Sequence, residues 1–392
     1  MPGPLEGVTV LEMANVITGP YAGMLLADLG AEVIKVEMPG TGDLFRHWAG
    51  DKNQFSPPFA AFNRNKKSVT INVKTTRGVE CYLRLAASVD VILENFRPGT
   101  LDRMGVGYNA VKEINPRIVY CAISGMGQSG PDSHRPTYDA IAQALSGLWS
   151  QLTEMNDPEP VGPPLCDQLG GLYAAYGVLG ALLHRAGTGQ GQRLDVSMLG
   201  AAMGFQTNAV AGYLMQSDVA DKFSRAKRSQ TYAFVAADRR PFAIHLSTPD
   251  KFWRGLADAT ERPDLLSDPR FKTKTDRIAN YEALRAELAG VFETRDRDEW
   301  VERLQARDVP AAPINTIAEA LDEPQVRHLE MVRTFGQGDE ALELVGFPVD
   351  YAVTPAEPGD RPPLVGEHTD SVLRSIGLGA EDIEGLRSES AI

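Results

Sequence analysis

Short apolar runs alternate with helix-like segments through the first third of the chain. Residues Glu32–Glu37 alternate as a β-strand does, whereas Gly19–Leu29 carries its leucines at helical spacing. The same pattern predicts strands at Val8–Leu11, Ser68–Val73, Val89–Glu94 and Ile118–Ser124, and a helix at Thr76–Ala87. Strands separated by helices indicate βαβ units, so the pattern predicts an α/β fold with a parallel sheet.

Two later segments are apolar enough to predict buried helices. Gln168–Ala186 is apolar around nearly its whole circumference and ends at glycines, and Ala201–Met215 has a similar composition. The character changes after about residue 220, which predicts a second, smaller domain. Its predicted elements are a hairpin of Tyr232–Ala237 and Pro241–Leu246 and helices near Lys251–Ala259, Tyr281–Phe292 and Arg297–Arg307. A last helix is predicted at Thr369–Ile376.

Composition and charge narrow the class of protein. The chain has 392 residues, 43% apolar and 23% charged, as expected for a folded soluble protein. A net charge of −13 argues against nucleic acid or an anionic membrane as a partner, but it allows a local basic cleft for a small anion. The sequence shows no signal peptide and no membrane-spanning apolar stretch. Three cysteines without a C-x-x-C pair predict a reducing, cytoplasmic location.

Three familiar motif types carry little weight here. Gly125–Gly130 matches G-x-G-x-x-G after a predicted strand, but no helical pattern begins before Tyr138, so a plain glycine turn is favoured over a dinucleotide site. The six histidines show no metal-ligand spacing, and no metal is expected. Cys166 is interpreted as a small buried hydrophobe, with a reactive thiol as the less favoured alternative.

Asp167 draws attention because it directly precedes the helix predicted from Gln168. The plain interpretation is an N-cap that accepts free N–H groups of the first turn. The functional alternative is a carboxylate nucleophile, with N–H groups of the helix start and of Gly170 and Gly171 stabilising an oxyanion. Basic residues of the same half are interpreted as either a solvated face or an anion site; they are Arg46, Lys66, Lys67, Lys74, Arg97 and Arg103.

An ordered set of sequence blocks spans nearly the whole chain. The blocks are Pro4–Leu11, Gly19-Pro20, Leu29–Glu37, Gly42-Asp43, Asn63–Ser68, Glu94–Gly99, Gly125–Pro131, Asp167–Gly171, Gly189–Gln192 and Pro363–Thr369. Each block alone is weak evidence, but their common order is highly specific. Together they resemble the class III (CaiB/BaiF) CoA-transferases, a family that also contains formyl-CoA transferase and α-methylacyl-CoA racemase.

The resemblance implies a fold and a domain order. It implies a large Rossmann-like domain built from both chain ends, an inserted small α+β domain and a homodimer of interlocked rings. The predicted boundaries are 1–200 for the first part of the large domain, 201–224 for a linker, 225–308 for the small domain, 309–325 for a second linker and 326–392 for the C-terminal part of the large domain.

The resemblance also implies a reaction, the transfer of CoA from an acyl-CoA donor to a carboxylic acid acceptor. Asp167 matches the family's catalytic aspartate, which forms a mixed anhydride with the acyl group and then an aspartyl-CoA thioester. Coenzyme A is a substrate in this chemistry, and neither a metal nor a permanently bound cofactor is implied. The implied CoA and active-site contacts are Val16, Ile17, Thr18, Ile71, Lys74, Asn95, Phe96, Arg97, Arg103, Tyr138 and Asp139.

Departures from the family pattern bear on the alternatives. Met38 stands where some members carry a basic CoA contact, and Arg228–Tyr232 stands where some carry a glycine-run lid. Tyr138 occupies the position of the racemase histidine, and a phenol with a pKa of about 10 is a poor proton shuttle at neutral pH. CoA transfer is therefore favoured over α-methylacyl-CoA racemisation. A CoA-binding protein without enzymatic activity is the third hypothesis.

Overall fold

Strands and helices alternate along the first half of the chain in the computed structural model, which describes residues 3–48, 50, 54–247, 250–355 and 359–392. The strands are β1 Thr9–Met13, β2 Glu32–Glu37, β3 Lys66–Thr70, β4 Val91–Glu94, β5 Val119–Ser124, β6 Gln192–Ser197, β7 Thr231–Val235, β8 Pro241–His245, β9 Ala311–Pro313, β10 Val332–Phe335 and β11 Leu342–Val345. The helices are α1 Thr18–Asp28, α2 Pro57–Asn63, α3 Thr76–Ala86, α4 Thr100–Arg103, α5 Tyr108–Ile114, α6 Asp139–Leu145, α7 Leu165–Thr188, α8 Met198–Phe205, α9 Thr207–Gln216, α10 Ser224–Ser229, α11 Asp250–Ala259, α12 Lys274–Ala279, α13 Tyr281–Phe292, α14 Arg297–Gln305, α15 Ile317–Asp322, α16 Pro324–His328, α17 Thr369–Ser375 and α18 Ala380–Ser388. No helix within the described ranges is both long and apolar enough to cross a membrane.

Within those ranges, six parallel strands form the central sheet, in the order β3-β2-β1-β4-β5-β6. Strand β1 pairs with β2 on one side and with β4 on the other. The strand order therefore reverses between β1 and β4, and such a reversal leaves a crevice at the carboxyl ends of the two strands. The predicted parallel sheet is confirmed. The strand predicted at 68–73 is displaced, because β3 ends at Thr70 while Ile71 and Val73 pack in the core beyond it.

An apolar layer covers each face of this sheet. Neighbouring residues on a strand point to opposite faces, so they belong to different layers. Val10 and Val33 belong to the core that includes α1 and α7. Leu11 and Ile34 belong to the core that includes α3, α5, α17 and α18. Burial on both faces explains the near-continuous apolar runs from which the strands were predicted.

The end of the chain returns to the edge strand β3. The Ser68 N–H donates to Nδ1 of His368 at 3.3 Å, and the Thr70 N–H donates to Oγ1 of Thr369 at 3.0 Å. Both chain ends consequently contribute to one compact unit, which comprises Met1–Leu148, Gly162–Thr207 and His328–Ile392.

A second compact unit comprises Trp149–Val161 and Asn208–Arg327. Its antiparallel strands lie in the order β7-β8-β9, and the pairing of β7 with β8 confirms the predicted hairpin. The unit has its own aromatic core around Trp300, whose indole N–H donates to the carbonyl of Phe292 at 2.9 Å. The domain boundaries given by the sequence stay a prediction.

Two predicted buried helices are buried only in part in this chain. The segment predicted as one buried helix at 201–215 forms parts of α8 and α9, and α9 has no buried residue in this chain. On α7, Leu172, Tyr176 and Leu183 are 50%, 74% and 77% exposed, although that helix was predicted to be covered on nearly all sides. Apolar composition indicates that a face tends to be covered, but it does not say that the same chain covers it.

A cluster of buried charges lies under the turn between β1 and α1. Lys35 Nζ contacts Oε1 of Glu12 at 2.9 Å and Oδ2 of Asp43 at 2.8 Å, and Lys66 Nζ contacts Oε2 of Glu12 at 2.7 Å. None of these four side chains is accessible to solvent, and we call them the buried ion cluster. Gly23 on α1 leaves room for it, because a Cβ atom there would overlap Oε2 of Glu12.

The two lysines of the buried ion cluster differ in ionisation. Burial lowers the pKa of Lys35, but the charges of Asp43 and Glu12 outweigh burial and raise it above its ordinary value. Burial lowers the pKa of Lys66 to about 8, against the opposing charge of Glu12. Lys35 contacts two carboxylates, whereas Lys66 contacts only that of Glu12, which Lys35 contacts as well. The smaller number of negative partners explains why the pKa of Lys66 is the lower of the two.

Replacing Lys66 with methionine tests how strongly the buried ion cluster stabilises the fold. The change leaves Glu12 short of one compensating charge, and we expect the free energy of unfolding to fall by about 3–5 kcal/mol. Lys67→Met is the matched control, because the adjacent Lys67 pairs with Glu32 at the surface, where an ion pair contributes about 0.2–1 kcal/mol. Urea denaturation measures both losses, and equal losses would contradict the prediction.

Candidate active site

A pocket of about 340 Å³ opens where the strand order reverses. Its walls include Asn15–Thr18 after β1, Asn95–Pro98 after β4, and Ser124 and Gly125 at the end of β5. All of these segments lie at the carboxyl edge of the parallel sheet, the edge where open α/β sheets bind their ligands. The position of the pocket thus follows from the topology.

The pocket wall after β1 has a strained backbone. Val16 has a φ of +69°, a conformation that a β-branched residue rarely adopts. Its N–H donates to Oδ1 of Asp43 at 3.2 Å. The neighbouring Asn15 donates its N–H to Oδ1 of Asn95 at 3.0 Å and accepts from Nδ2 of Asn95 at 2.8 Å. These bonds hold the strained turn and tie it to the opposite wall after β4.

Asp167 lies on this pocket, but it is not the N-cap that the sequence suggests. Helix α7 begins at Leu165, so Asp167 is its third residue. The N–H groups of Cys166 and Asp167 donate to Oδ1 of Asp139, at 2.7 and 3.2 Å. Because Asp139 accepts the N–H groups at the start of the helix, the Asp167 side chain can form hydrogen bonds with other groups. It accepts a hydrogen bond of 2.5 Å at Oδ1 from the hydroxyl of Thr18.

The surroundings of Asp167 change its ionisation. Burial raises the pKa of its carboxyl group to about 6, the hydrogen bond from Thr18 opposes the rise, and the charge of Asp139 adds to it. Thr18 is the first residue of α1 and Asp167 the third of α7, so the positive ends of two helix dipoles meet at this carboxylate. The group is ionised at neutral pH, yet it is more basic than a solvated aspartate, as suits a nucleophile.

Gly170 and Gly171 allow α1 and α7 to approach closely enough for this bond. A Cβ atom at Gly170 would lie 2.9 Å from Cγ2 of Thr18, and one at Gly171 would lie 2.6 Å from the Thr18 carbonyl oxygen. Both glycines lie inside α7, where an N–H group bonds to the carbonyl four residues earlier. The structure therefore gives them a packing role, and their oxyanion role stays a prediction.

The pocket brings together most of the residues that the resemblance assigns to the site. Those that line it with Asp167 are Val16, Ile17, Thr18, Asn95, Phe96, Arg97 and Tyr138. Asp139 is not part of the lining but binds the start of α7, and three further residues also lie outside the lining. Ile71 is buried in the core beyond β3, whereas Lys74 precedes α3 and Arg103 ends α4, both with exposed side chains. Whether these three contact CoA stays a prediction.

The basic residues divide into two groups. Arg46 forms a two-point ion pair with a buried glutamate, at 2.8 and 2.6 Å, and Lys66 belongs to the buried ion cluster. Lys67 has its own surface partner. These three side chains are engaged within the fold. The exposed side chains that an anionic ligand can reach are those of Lys74, Arg97 and Arg103.

The structure adds pocket residues that the sequence did not indicate. Ser133, Arg135 and Thr137 line the pocket from the loop that follows the glycine run. That run is a turn, as predicted, because the first helix after it, α6, begins only at Asp139. Gly125 lets the loop fold onto the end of β5, since a Cβ atom there would overlap Cβ of Thr137. The glycine was a visible signal, but its pattern points to nucleotide binding rather than to loop packing.

The surroundings of Cys166 and Tyr138 bear on the alternatives to an aspartate nucleophile. Burial raises the pKa of the Cys166 thiol to about 12, so the thiol is protonated near neutral pH and packs as a hydrophobe. Tyr138 lines the pocket, whereas the exposed His134 is not among the described lining residues. Over the parts of the chain that the structure describes, no group of three or more His, Cys, Asp or Glu side chains is arranged to hold a metal ion.

Comparisons with known proteins indicate the family to which this chain belongs. The sequence profile of CoA-transferase family III matches residues 5–369. The chain is 35% identical to the succinyl-CoA:glutarate CoA-transferase of Mus musculus, over 95% of this chain and 86% of that protein. It is also 35% identical to the succinyl-CoA:mesaconate CoA-transferase of Haloarcula hispanica, over 96% and 97% of the two chains.

The fold has a solved counterpart. A crystal structure of a CAIB/BAIF family protein from Brucella suis matches with a TM-score of 0.87 at 32% identity, and it covers 96% of this chain and 100% of that one. The profile, the two relatives and this structure all span nearly the whole chain. The protein therefore belongs to the class III, or CaiB/BaiF, family of CoA-transferases.

Proposed function

We propose that this protein transfers CoA from an acyl-CoA donor to a carboxylic acid acceptor through covalent intermediates on Asp167. The observation that carries the proposal is the half-buried carboxylate on the pocket wall, held by the Thr18 hydroxyl at 2.5 Å. The family and the names of its relatives support the reaction class. Both relatives are named for succinyl-CoA, so it is the donor to test first.

The reaction requires a carboxylate that acts as both nucleophile and leaving group. Asp167 attacks the thioester carbon, the C–S bond breaks, and CoA leaves as the thiolate with the bonding electron pair. The thiolate then attacks Cγ of Asp167 in the mixed anhydride, which releases the donor acid and leaves an aspartyl-CoA thioester. The acceptor carboxylate attacks this Cγ and expels the thiolate. The thiolate then attacks the acyl carbon of this second anhydride, which forms the new acyl-CoA and releases the Asp167 carboxylate. The whole reaction involves no net proton transfer.

The two pocket walls are suited to the reacting end of an acyl-CoA. Ile17, Phe96 and Met198 contribute apolar surface, and a water-poor site protects an anhydride from hydrolysis. Arg97 offers an exposed guanidinium group, whose parallel N–H donors match a phosphate. In this proposal Asn95, Phe96 and Arg97 follow the pantetheine and phosphates. The proposal assigns three residues to the adenosine and phosphate end of CoA, farther from the reacting thioester; they are Ile71, Lys74 and Arg103.

The working protein in this proposal is a homodimer in the cytoplasm. The exposed apolar side chains on α7 support association, because monomeric soluble proteins rarely expose large contiguous apolar patches. Free thiols are compatible with a reducing compartment; they belong to Cys81, Cys121 and Cys166, all buried.

A covalent adduct on Asp167 is the first expected result. The protein is incubated with a panel of acyl-CoAs, trapped with hydroxylamine or borohydride, and digested for mass spectrometry. The modification should map to the peptide that contains Asp167. In Asp167→Asn it should be absent, and turnover should fall by a factor of about 10⁴ or more.

Asp258→Asn is the control for that experiment, because Asp258 is an exposed carboxylate on α11, in the second compact unit. It should retain both the adduct and the turnover. Turnover that survives in Asp167→Asn would refute covalent transfer at this residue. Exchange of an α-proton with deuterated water, without CoA transfer, would favour the racemase alternative.

The raised pKa of Asp167 predicts the pH dependence of the reaction. Only the ionised carboxylate attacks, so kcat/KM should be level above about pH 6 and should fall about tenfold per pH unit below it. A solvated aspartate would place this fall near about pH 4. Initial rates measured across this range decide the matter, and a profile that stays level down to about pH 4.5 would contradict a buried nucleophile.

Arg97→Gln tests the proposed phosphate contact. The variant loses a charged, two-point donor, so we expect KM for the acyl-CoA to rise roughly tenfold with little change in kcat. Arg374→Gln is the control, because Arg374 is an exposed arginine on α17 with a carboxylate partner of its own. Steady-state kinetics on both variants measures the effect. An unchanged KM in Arg97→Gln would remove Arg97 from the CoA site.

A further inference from the structure

Thr18 occupies an unusually constrained position next to the reacting carboxylate. It is the first residue of α1 and is buried, and Gly170 and Gly171 on α7 pack against its side chain and its carbonyl. A threonine hydroxyl carries a single proton to donate. Here that proton is directed to Oδ1 of Asp167 at 2.5 Å.

This hydrogen bond makes the two oxygens of Asp167 inequivalent. Oδ1 is directed to the start of α1, so Oδ2 is the oxygen that bonds to an acyl carbon. Rotation of the free carboxylate exchanges the two oxygens, but one of them still faces Thr18. Once an anhydride or thioester has formed, only the carbonyl oxygen is left in that place.

Two steps of the proposed reaction attack Cγ of Asp167, first by the CoA thiolate and then by the acceptor carboxylate. Each attack forms a tetrahedral centre whose negative charge develops on the carbonyl oxygen. We propose that the Thr18 hydroxyl is the oxyanion donor for these two steps, an inference that rests on the proposed function. The proton stays on Thr18 throughout, so no bond of the threonine breaks.

The pH dependence of a Thr18 variant also reflects the other groups around Asp167. Helix α8, which contributes Met198 to the pocket, carries no titratable side chain. The titratable or charged side chains that line the pocket with Asp167 or pack at the start of α7 are Tyr21 on α1, Asp139 on α6, Cys166 on α7, and the loop residues Arg97, Arg135 and Tyr138. A Thr18 substitution leaves all of these charges in place. A shift of the acid limb, the pH range in which kcat/KM falls as Asp167 is protonated, therefore reports the lost hydrogen bond.

Thr18→Val and Thr18→Ser separate the hydroxyl from the shape of the side chain. Valine keeps the branched shape and lacks the donor. At about pH 8 we expect kcat of Thr18→Val to fall on the order of a hundredfold, with KM for the acyl-CoA nearly unchanged. Its acid limb should move up by about one pH unit, because the bond that favours the ionised carboxylate is lost. Thr18→Ser retains the donor and should restore both kcat and the acid limb.

The alternative is that Thr18 acts only as the CoA contact implied by the family resemblance. In that case KM rises in Thr18→Val while kcat and the acid limb stay those of the wild type, and this result overturns the inference. Thr18→Ala, which removes the hydroxyl and vacates space, gives the same test should the valine variant not fold. Turnover that survives in Asp167→Asn overturns the proposed function and this inference together. A Thr18→Val variant whose kcat and pH profile are those of the wild type overturns the inference alone.

Discussion

The buried ion cluster is the constraint on which the rest of the site depends. Charged groups removed from water need close partners of opposite sign, and here the partners come from β1, β2, β3 and the segment after β2. Lys35 also donates to the carbonyl of Ala14, and Lys66 donates to that of Pro20, both at 2.8 Å. The interaction that neutralises the charges therefore also fixes the turn that carries Thr18.

Three helices each determine one property of Asp167. Helix α7 places the carboxylate on the pocket wall, and α1 orients it through Thr18. Helix α6 contributes Asp139, which accepts the N–H groups at the start of α7 and whose charge adds to the rise in the pKa of Asp167 that burial causes. The strained Val16 donates its N–H to Asp43 of the buried ion cluster and lies two residues before Thr18. The cluster therefore holds the turn that positions the Thr18 hydroxyl within hydrogen-bond distance of Asp167. The chemistry of one side chain is thus distributed over well-separated parts of the sequence.

The sequence predicted what local pattern determines. Periodicity was sufficient for the parallel sheet and for the hairpin, and the ordered blocks identified Asp167 as the residue to watch. It could not predict that Asp139 caps α7, because that bond joins residues 28 positions apart. For the same reason Lys66 resembled a ligand-binding lysine until its partner on β1 was known. The exposed apolar side chains of α7, such as Tyr176, show that periodicity predicts an apolar face without its cover.

The environment of Asp167 balances two opposed demands. A carboxylate that attacks a thioester gains from basicity, and burial supplies it by raising the pKa to about 6. A carboxylate that must also leave from an anhydride loses from basicity, and the Thr18 hydrogen bond limits the rise. Before each attack on Cγ, the carbonyl oxygen of the anhydride or thioester is uncharged, whereas in the tetrahedral centre at Cγ that oxygen carries the negative charge. A donor fixed on that oxygen therefore stabilises the transition state more than the ground state, which is the condition for catalysis.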